Sequence, residues 1–314
     1  MMGTDSKANK KTFSQRLSRD FKLNKYKYLL IIPVLVYLAL FCYKPMYGLI
    51  IAFKNYKPTR GIWGSQWVGF MWFETFFKDI YFWRLLRNTF TLSALSIVFG
   101  FPAPIILALL LNEVHNEKFK RTVQTITYMP YFISLVVMCS LIKIYCQENG
   151  LFSQIAEAFG GTRRNFMIDP SAFRPIYILS EIWQGIGWNS IIYLAALSGI
   201  DMEQYEAARI DGANRFQSTL HITVPGLIPT FIVLLLLGIG NFMNVGFDQY
   251  YIFKNAGNSD TIEVLDIYVY RIGMQNYKYS YGIAIGIMKS VVSMILLFSA
   301  NGISKLARDG QSIF

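Results

Sequence analysis

Long apolar blocks separated by polar connections dominate this chain of 314 residues. A helix that crosses a bilayer needs about 20 mainly apolar residues, at a rise of about 1.5 Å per residue. Six segments are long enough, and apolar and polar residues do not alternate within them as they do on a half-buried strand. They cover residues 28–53, 88–112, 122–146, 174–198, 226–247 and 282–304. The pattern predicts an all-α polytopic membrane protein with six transmembrane helices.

The first apolar segment follows a basic stretch, as the core of a secretory signal peptide does. However, it continues well past Cys42 and contains no A-x-A-like cleavage site. The bulky Phe41 also stands where a lipoprotein site has a small residue. We therefore expect this segment to be retained as a transmembrane helix.

The composition agrees with a membrane protein. Hydrophobic residues make up 54% of the chain and charged residues only 16%, whereas a soluble globular domain has about 25% charged residues. This balance argues against an ordinary soluble enzyme, a disulfide-rich scaffold and a disordered chain.

The net charge of +11 is unevenly distributed. With the N-terminus inside, half of the 30 lysines and arginines fall in the shorter cytoplasmic pieces and eleven in the longer outer pieces. Cytoplasmic loops carry an excess of Lys and Arg, so both termini are expected in the cytoplasm. The cytoplasmic pieces are then 1–27, 113–121, 199–225 and 305–314, and the outer pieces are 54–87, 147–173 and 248–281. Topology and the lipid bilayer account for the positive charge, and we expect no nucleic acid partner.

The N-terminal tail has a pattern of its own. Phe13, Leu17 and Phe21 recur every four residues, with basic residues between them. One apolar and one basic face are typical of a helix that lies along the inner membrane surface. The alternative is a disordered basic tail that only fixes the topology.

The connection between the fourth and fifth apolar segments differs from an ordinary loop. Asp201, followed by Gln204, resembles a capping box, and good helix formers continue to Asp211. Gly212 then stands where a left-handed residue would end that helix. A short helix from residue 202 to residue 211 is therefore expected.

A second short helix is expected to begin at Asn214 and to end near His221, before Pro225. The result would be a helix-turn-helix outside the membrane. The alanines at 207, 208 and 213 have small side chains that project little from the surface, so that a partner protein could approach closely.

At these residues a family resemblance is visible. The run Glu206-Ala207-Ala208-Arg209-Ile210-Asp211-Gly212-Ala213, with Ile222 and Pro225 downstream, resembles the cytoplasmic EAA motif of binding-protein-dependent ABC importer permeases. Val224 stands where that motif usually has Leu, which is a mild departure. The loop also follows the fourth of six predicted spans, as it does in that family.

Flanking segments resemble the carbohydrate-uptake branch of that family, which is maltose-permease-like and includes multiple-sugar and polysaccharide-fragment importers. The matching segments are Trp67-Val68-Gly69-Phe70, Asn88-Thr89, Trp183-Gln184-Gly185-Ile186-Gly187-Trp188 and Tyr193-Leu194-Ala195-Ala196-Leu197. The resemblance implies import of oligosaccharides or polysaccharide fragments by a permease in a bacterial cytoplasmic membrane.

The resemblance also implies a complex of several chains. Its members would be a second homologous permease, two cytoplasmic ATPase subunits and an external sugar-binding protein. The residues expected to couple this chain to an ATPase are Glu206, Ala207, Ala208, Asp211, Gly212 and Ala213. ATP and Mg would be bound by the ATPase subunits, since this chain has no G-x-x-x-x-G-K-[ST] run.

The predicted spans and their orientation divide the chain into four parts. Residues 1–27 would be a basic cytoplasmic tail, and 28–87 the first transmembrane helix with its outer loop. Residues 88–304 would be the transmembrane permease domain, and 305–314 a cytoplasmic tail. No cofactor, metal site or catalytic residue is expected in the chain itself, because the two histidines, His115 and His221, lie far apart in sequence.

Sugar sites combine aromatic faces with amide and hydroxyl groups, because a pyranose has an apolar face and polar edges. Residues with this chemistry occur on the first, fourth and fifth predicted spans, and each could instead serve packing. The candidates are Tyr47, Trp183, Gln184, Trp188, Asn189, Asn241, Phe242 and Asn244.

Two charges lie well inside predicted spans and need a partner. Glu181 and Lys289 are each about seven residues from the outer end of their spans, which run in the same direction. One interpretation is an ion pair between the two helices. The other is that Lys289 faces the substrate path and binds an acidic sugar.

The main alternative function is an ion-driven secondary solute transporter. That class typically has inverted repeats and carboxylates near the middle of the membrane, and neither is clear in this sequence. An intramembrane enzyme would need a nucleophile with a base, or a metal site, within the spans, and no histidine lies in any span.

Overall fold

The computed structural model describes residues 23–307. The helix expected around residues 13–21 lies outside these residues. The first half of the described chain consists of α1 (Lys25–Phe53), β1 (Lys54–Asn55), α2 (Gly61–Gly64), β2 (Gln66–Trp67), α3 (Met71–Phe77), α4 (Phe82–Glu113), α5 (Glu117–Phe132), α6 (Leu135–Tyr145) and α7 (Leu151–Ala158).

The second half is entirely helical in its regular elements. It consists of α8 (Pro170–Leu197), α9 (Met202–Ile210), α10 (Arg215–Gly240), α11 (Phe247–Phe253), α12 (Ser259–Ile262), α13 (Leu265–Tyr270) and α14 (Tyr279–Ala307). The only sheet in the described part of the chain is the two-residue antiparallel pair of β1 and β2.

Four helices of the described chain, α1, α4, α10 and α14, are long and apolar enough to cross a membrane. The pair α5 and α6 makes a fifth if it counts as one broken span. Helix α8 has 28 residues, so its length suffices, but it carries Arg174 and Glu181 and is not among the apolar helices. The described chain is thus mostly helical with apolar helices of membrane-spanning length, and the count of six spans stays a prediction.

The third predicted span is not straight. Its two halves, α5 and α6, meet at an angle of 98°. Pro130 lies in the tight final turn of α5, where it cannot donate a backbone hydrogen bond, and Ile133 and Ser134 leave the helical conformation. The two halves also differ in character, since most of α5 is polar and α6 is apolar.

Three of the long helices each contain a wide π turn, and a proline follows two residues after each one. The π turns are Leu38–Tyr43, Ser96–Gly100 and Thr219–Thr223, and the prolines are Pro45, Pro102 and Pro225. Because proline lacks the N–H that continues a helix, the local widening lets the chain pass without a break. The expected helix end before Pro225 is therefore wrong, since α10 continues to Gly240.

Helix α8 lies at the centre of the bundle. It packs against the second half of α4 (Pro102–Glu113) and also contacts α5 and α10. The main core lies near its N-terminal end, where the rings of Tyr177 and Tyr250 stack at 4.2 Å and Phe173 is fully buried. At its other end a smaller core joins Leu197 to α4 and α10.

An ion-pair network lies near the N-terminal end of α8. The buried carboxylate of Glu263 pairs with Arg84 at 2.8 Å and with Arg271 at 2.6 Å. Asn88 donates to the carbonyl oxygen of Glu263, and Thr89 accepts the first backbone N–H of α13, that of Leu265. Asn88 and Thr89 therefore hold the segment before α13 against α4.

Much of the apolar surface of the long helices is not covered by the chain itself. In α1 none of the most apolar window is buried, and in α4, α10 and α14 between 11% and 17% is. Exposed apolar surface on this scale marks contact with lipid or with another protein.

Candidate functional site: a polar cavity and an exposed helical loop

A cavity of about 370 Å³ lies between α4, α8, α10 and the turn formed by residues 241–246. Its polar lining residues are Ser93, Ser96, Tyr177, Glu181, Asn189, Tyr193, Asn241 and Asn244. Phe101 and Phe242 add aromatic faces. The cavity thus combines hydroxyl, amide and carboxylate groups with aromatic rings.

The turn that closes the cavity was expected to be helical, and that expectation is wrong. Helix α10 ends at Gly240, and Asn241 closes its last turn with its side-chain amide donating to the carbonyl oxygen of Leu237 at 3.2 Å. Asparagine competes with the backbone for hydrogen bonds in this way, which favours helix ends. As a result Asn241, Phe242 and Asn244 line the cavity from a turn and not from a helix face.

Two serines of α4 fix the cavity wall, and sequence reasoning missed both. Ser93 Oγ donates to the carbonyl oxygen of Phe242 at 2.5 Å and so attaches the turn to α4. Ser96 Oγ donates to Oε2 of Glu181, which is on the facing helix α8, at 2.7 Å. Ser96 is also the first residue of the π turn of α4, so the carboxylate of Glu181 is bound at the point where α4 widens.

Of the predicted substrate residues, Asn189, Asn241, Phe242 and Asn244 share this cavity, and the other five, Lys289 among them, lie outside it. Trp188 stacks on Tyr131 at 4.6 Å, and Gln184 donates to the carbonyl oxygen of Ile133 at the bend between α5 and α6. Tyr47 of α1 contacts the ring of Trp63, and Trp183 is half exposed.

The predicted ion pair between Glu181 and Lys289 is wrong. Lys289 pairs with Asp266 of α13, and Glu181 is bound by Ser96. Depth along a helix does not tell which way a side chain points, and the sequence placed Asp266 in an outer loop, whereas α13 packs against α14.

A second cavity, of about 280 Å³, lies between α10 and α14. Lys289 lines it together with Asn244, which also lines the first cavity. The two cavities are therefore neighbours that share one asparagine.

The exposed loop between α8 and α10 has the predicted first helix. The Asp201 side chain caps α9 by accepting the backbone N–H of Glu203 at 3.0 Å. The bond expected with residue 204 is thus replaced by a bond with the residue before it. Gly212 has a φ of +79°, the left-handed conformation that ends a helix. Glu206 and Gly212 are both exposed.

The second helix of the loop begins as predicted. The side chain of Asn214 accepts the backbone N–H of Gln217 at 2.9 Å, and the Asn214 N–H donates to the side chain of Gln217 at 2.8 Å. This reciprocal capping box starts α10. The two helices enclose a notch of about 310 Å³ lined by Ala208, Asp211, Gly212, Ala213, Gln217, Ser218, His221 and Ile222.

Hydrogen bonds tie the loop to the long helices. Tyr205 of α9 bonds with Thr223 of α10 between hydroxyl oxygens 2.9 Å apart. Thr219 donates to the carboxylate of Glu113, at the end of α4, at 3.3 Å. These bonds connect α9 to α10, and α10 in turn to α4.

The outward surface of the loop is apolar at several points. Met202, Ile210 and Phe216 expose 67%, 87% and 75% of their surface. The rest of the loop surface is largely polar.

Comparison with known proteins shows the family to which the chain is similar. Residues 100–309 match the family described as "Binding-protein-dependent transport system inner membrane component". The chain is 46% identical over 285 residues to Protein LplB of Bacillus subtilis, with 90% of each chain covered. It is 43% identical to the polygalacturonan/rhamnogalacturonan transport system permease protein YteP of the same organism, covering 94% of this chain and 92% of YteP.

A solved structure is similar over nearly the whole length. It is the crystal structure of a bacterial ABC transporter involved in the import of the acidic polysaccharide alginate, with a TM-score of 0.86 and 38% sequence identity. The match covers 93% of this chain and 99% of the other.

Proposed function

The chain belongs to the family of binding-protein-dependent transport system inner membrane components, and from this premise we propose that it is the permease subunit of a bacterial ABC importer for oligosaccharides or polysaccharide fragments. It is a transport component and not an enzyme. The observation that carries the proposal is the exposed loop formed by α9 and the start of α10.

In this proposal the loop couples the chain to an ATPase. The contact residues are Glu206, Ala207, Ala208, Asp211, Gly212 and Ala213. Their exposed or half-exposed positions, together with the uncovered Ile210 and Phe216, support docking into a groove of the partner. ATP and Mg belong to the ATPase subunits, which supply the hydrolysis.

Substrate movement would follow from a rigid-body change. When the ATPase subunits approach one another, α9 moves with them, and Tyr205 and Thr219 carry the movement into α10 and α4. Both helices line the cavity beside Glu181. Its opening would therefore change sides as the bundle switches between two arrangements.

We propose six spans, with α5 and α6 together as the third and α8 as the fourth. A membrane-crossing α8 requires Glu181 to be held away from lipid, which its bond with Ser96 and its position in the cavity support. Both termini and the loop then lie in the cytoplasm. This agrees with the Lys and Arg of the tail 1–27.

The uncovered apolar faces support a second, homologous permease as a partner. An external sugar-binding protein is expected from the description of the family, and the bilayer covers the remaining surface. A sugar substrate is supported by YteP and by the alginate importer. It is also supported by the amide, hydroxyl and aromatic lining of the cavity.

Affinity purification of the chain from its native membrane, with identification of the copurifying proteins, tests this proposal. We expect an ATPase and a second permease with the native chain. Gly212→Asp should lose the ATPase but keep the permease, because residue 212 lies on the exposed loop. Gly286→Ala is the matched control, since a side chain there meets no atom within 4 Å. Recovery of the native chain alone would overturn the proposal.

A further inference from the structure

The lining of the cavity between α4, α8 and α10, as far as the described residues form it, contains an acidic side chain and no basic one. Among its lining residues in the described part of the chain, Glu181 is the only carboxylic acid, and there is no Lys, Arg or His. None of the ion pairs found within residues 23–307 involves Glu181. The wall that this chain contributes is therefore negative or neutral and carries no positive charge.

The lysine of the neighbouring cavity does not change this balance. Lys289 lies in the neighbouring cavity, and its ammonium group is paired with Asp266. The two side chains are 15% and 18% exposed, so the charges cancel within a largely buried pair. A substrate carboxylate would find no free positive charge from Lys289.

We propose that this cavity accepts neutral glycans and rejects glycans rich in uronic acids, and that Glu181 is the specificity-determining residue. The inference rests on the proposed function and specifies its substrate class.

The carboxylate of Glu181 accounts both for the binding of neutral glycans and for the rejection of uronic acids. A carboxylate is an acceptor for hydrogen bonds from hydroxyl groups, and bonds to a charged acceptor are stronger than those between neutral groups. Glu181 Oε2 already accepts from Ser96, and each carboxylate oxygen can accept more than one donor. Neutral sugars present such donors, whereas a uronate brings a like charge into a site of low dielectric, where repulsion is strong.

The amides at the cavity margin complete the recognition of a neutral sugar. Asn241 and Asn244 stand on the turn, and Asn189 stands on α8 beside the carboxylate. Amides donate and accept hydrogen bonds without charge, so they suit hydroxyl groups on any face of a sugar ring.

The test uses the complete importer, purified with its partners and reconstituted in proteoliposomes with ATP. The probes are labelled oligosaccharides in matched pairs that differ only in charge. They are oligogalacturonides with free or methyl-esterified carboxyl groups, and xylo-oligosaccharides with or without glucuronic acid substituents. The measured quantity is the ratio of initial uptake rates, charged to neutral, for each pair.

We expect the native complex to favour the neutral member of every pair that it imports. Glu181→Gln should lower neutral uptake about tenfold, which is the expected effect of replacing a hydrogen bond to a charged acceptor by one to a neutral acceptor. The same variant should raise the charged-to-neutral ratio by about tenfold or more, because the like charge is gone. Glu148→Gln is the matched control, since Glu148 is exposed in the connection after α6 and lines no cavity described above.

Preference of the native complex for charged probes would overturn the inference and leave the proposed function standing. An unchanged ratio in Glu181→Gln would overturn it equally. ATP-driven uptake of none of the probes would count against the proposed function itself, and the inference would fail with it.

Discussion

Lys289 of α14 is ion-paired with Asp266 of α13, and both side chains are largely buried. This pair joins the last long helix to the short helices that follow the cavity turn. A sequence contains no direct sign of it, because the two residues are 23 positions apart and Asp266 lies in what reads as a loop.

Asp266→Asn is expected to destabilise the fold strongly. It leaves the ammonium group of Lys289 buried without a counter-charge, which costs about 3–5 kcal/mol. The double variant Asp266→Asn with Lys289→Met should recover most of that loss, because no charge remains. The measurement is thermal unfolding of the purified complex in detergent.

The control for this prediction is the pair of Arg163 and Glu157, whose side chains are 46% and 51% exposed. Glu157→Gln should cost less than about 1 kcal/mol. Equal losses for Asp266→Asn and Glu157→Gln would show that the buried pair does not stabilise the fold.

Gly187 of α8 lies against the backbone of α5, and Gly187→Ala should prevent normal packing there. A methyl group would overlap the carbonyl group of Thr127 and approach Tyr128 Cδ1 to 2.8 Å. Overpacking of this kind costs about 1–3 kcal/mol. The melting temperature should fall with Gly187→Ala and stay near the native value with Gly286→Ala, where the space is open. A melting temperature unchanged in both variants would refute the close crossing.

Gly212 permits a second prediction about the loop, based on backbone conformation alone. Its φ of +79° suits glycine and, less well, asparagine. Gly212→Val should therefore uncouple ATP hydrolysis from uptake, whereas Gly212→Asn should retain most coupling. The ratio of sugar transported to ATP hydrolysed measures this effect. If the two variants behave alike, the left-handed conformation has no role in coupling.

Asp79, between α3 and α4, gives the fold a dependence on pH. Burial raises the pKa of this carboxyl, but hydrogen bonds from the Tyr268 hydroxyl, the Tyr81 backbone N–H and the Tyr281 hydroxyl outweigh it, with help from the charge of Arg271. The folded-state pKa therefore lies below its ordinary value of 3.8. The resulting stability is present above the unfolded pKa, about 3.9, and is lost as the pH falls through the folded value.

We expect Asp79→Asn to be less stable than the native chain at neutral pH and to lose less stability on acidification below about pH 4. The double variant Tyr268→Phe with Tyr281→Phe should behave in the same direction, because it removes two donors to Asp79. Tyr251→Phe, which changes a tyrosine stacked on Phe247, serves as the control. Parallel stability curves for Asp79→Asn and the native chain between pH 3 and pH 7 would contradict this account.

The parts of the molecule that depend on local sequence could be predicted. Asp201 and Asn214 cap their helices and Gly212 ends one, because capping and left-handed turns depend on residues within a few positions. The long apolar helices could be predicted from hydropathy for the same reason. Both the loop and the membrane character follow from such short-range patterns.

The parts that depend on helix rotation and tertiary contact could not be predicted. Ser96 was missed because a single serine in an apolar helix usually bonds its own backbone, and only the fold places it opposite Glu181. Asn241 was assigned to a helix because the apolar run continues past it, whereas its side chain ends that helix. The partner of Lys289 depended on where α13 packs.

The central claim is that this chain carries sugar across a membrane only when an ATPase drives it through the loop of α9. The most direct measurement is uptake of labelled oligosaccharides by proteoliposomes that contain the purified complex, with ATP supplied on the ATPase side. The account predicts uptake that requires ATP hydrolysis and is lost in Gly212→Asp, with the complex otherwise intact. Uptake that persists without ATP, follows an imposed ion gradient and survives Gly212→Asp would contradict the account and indicate an ion-driven carrier.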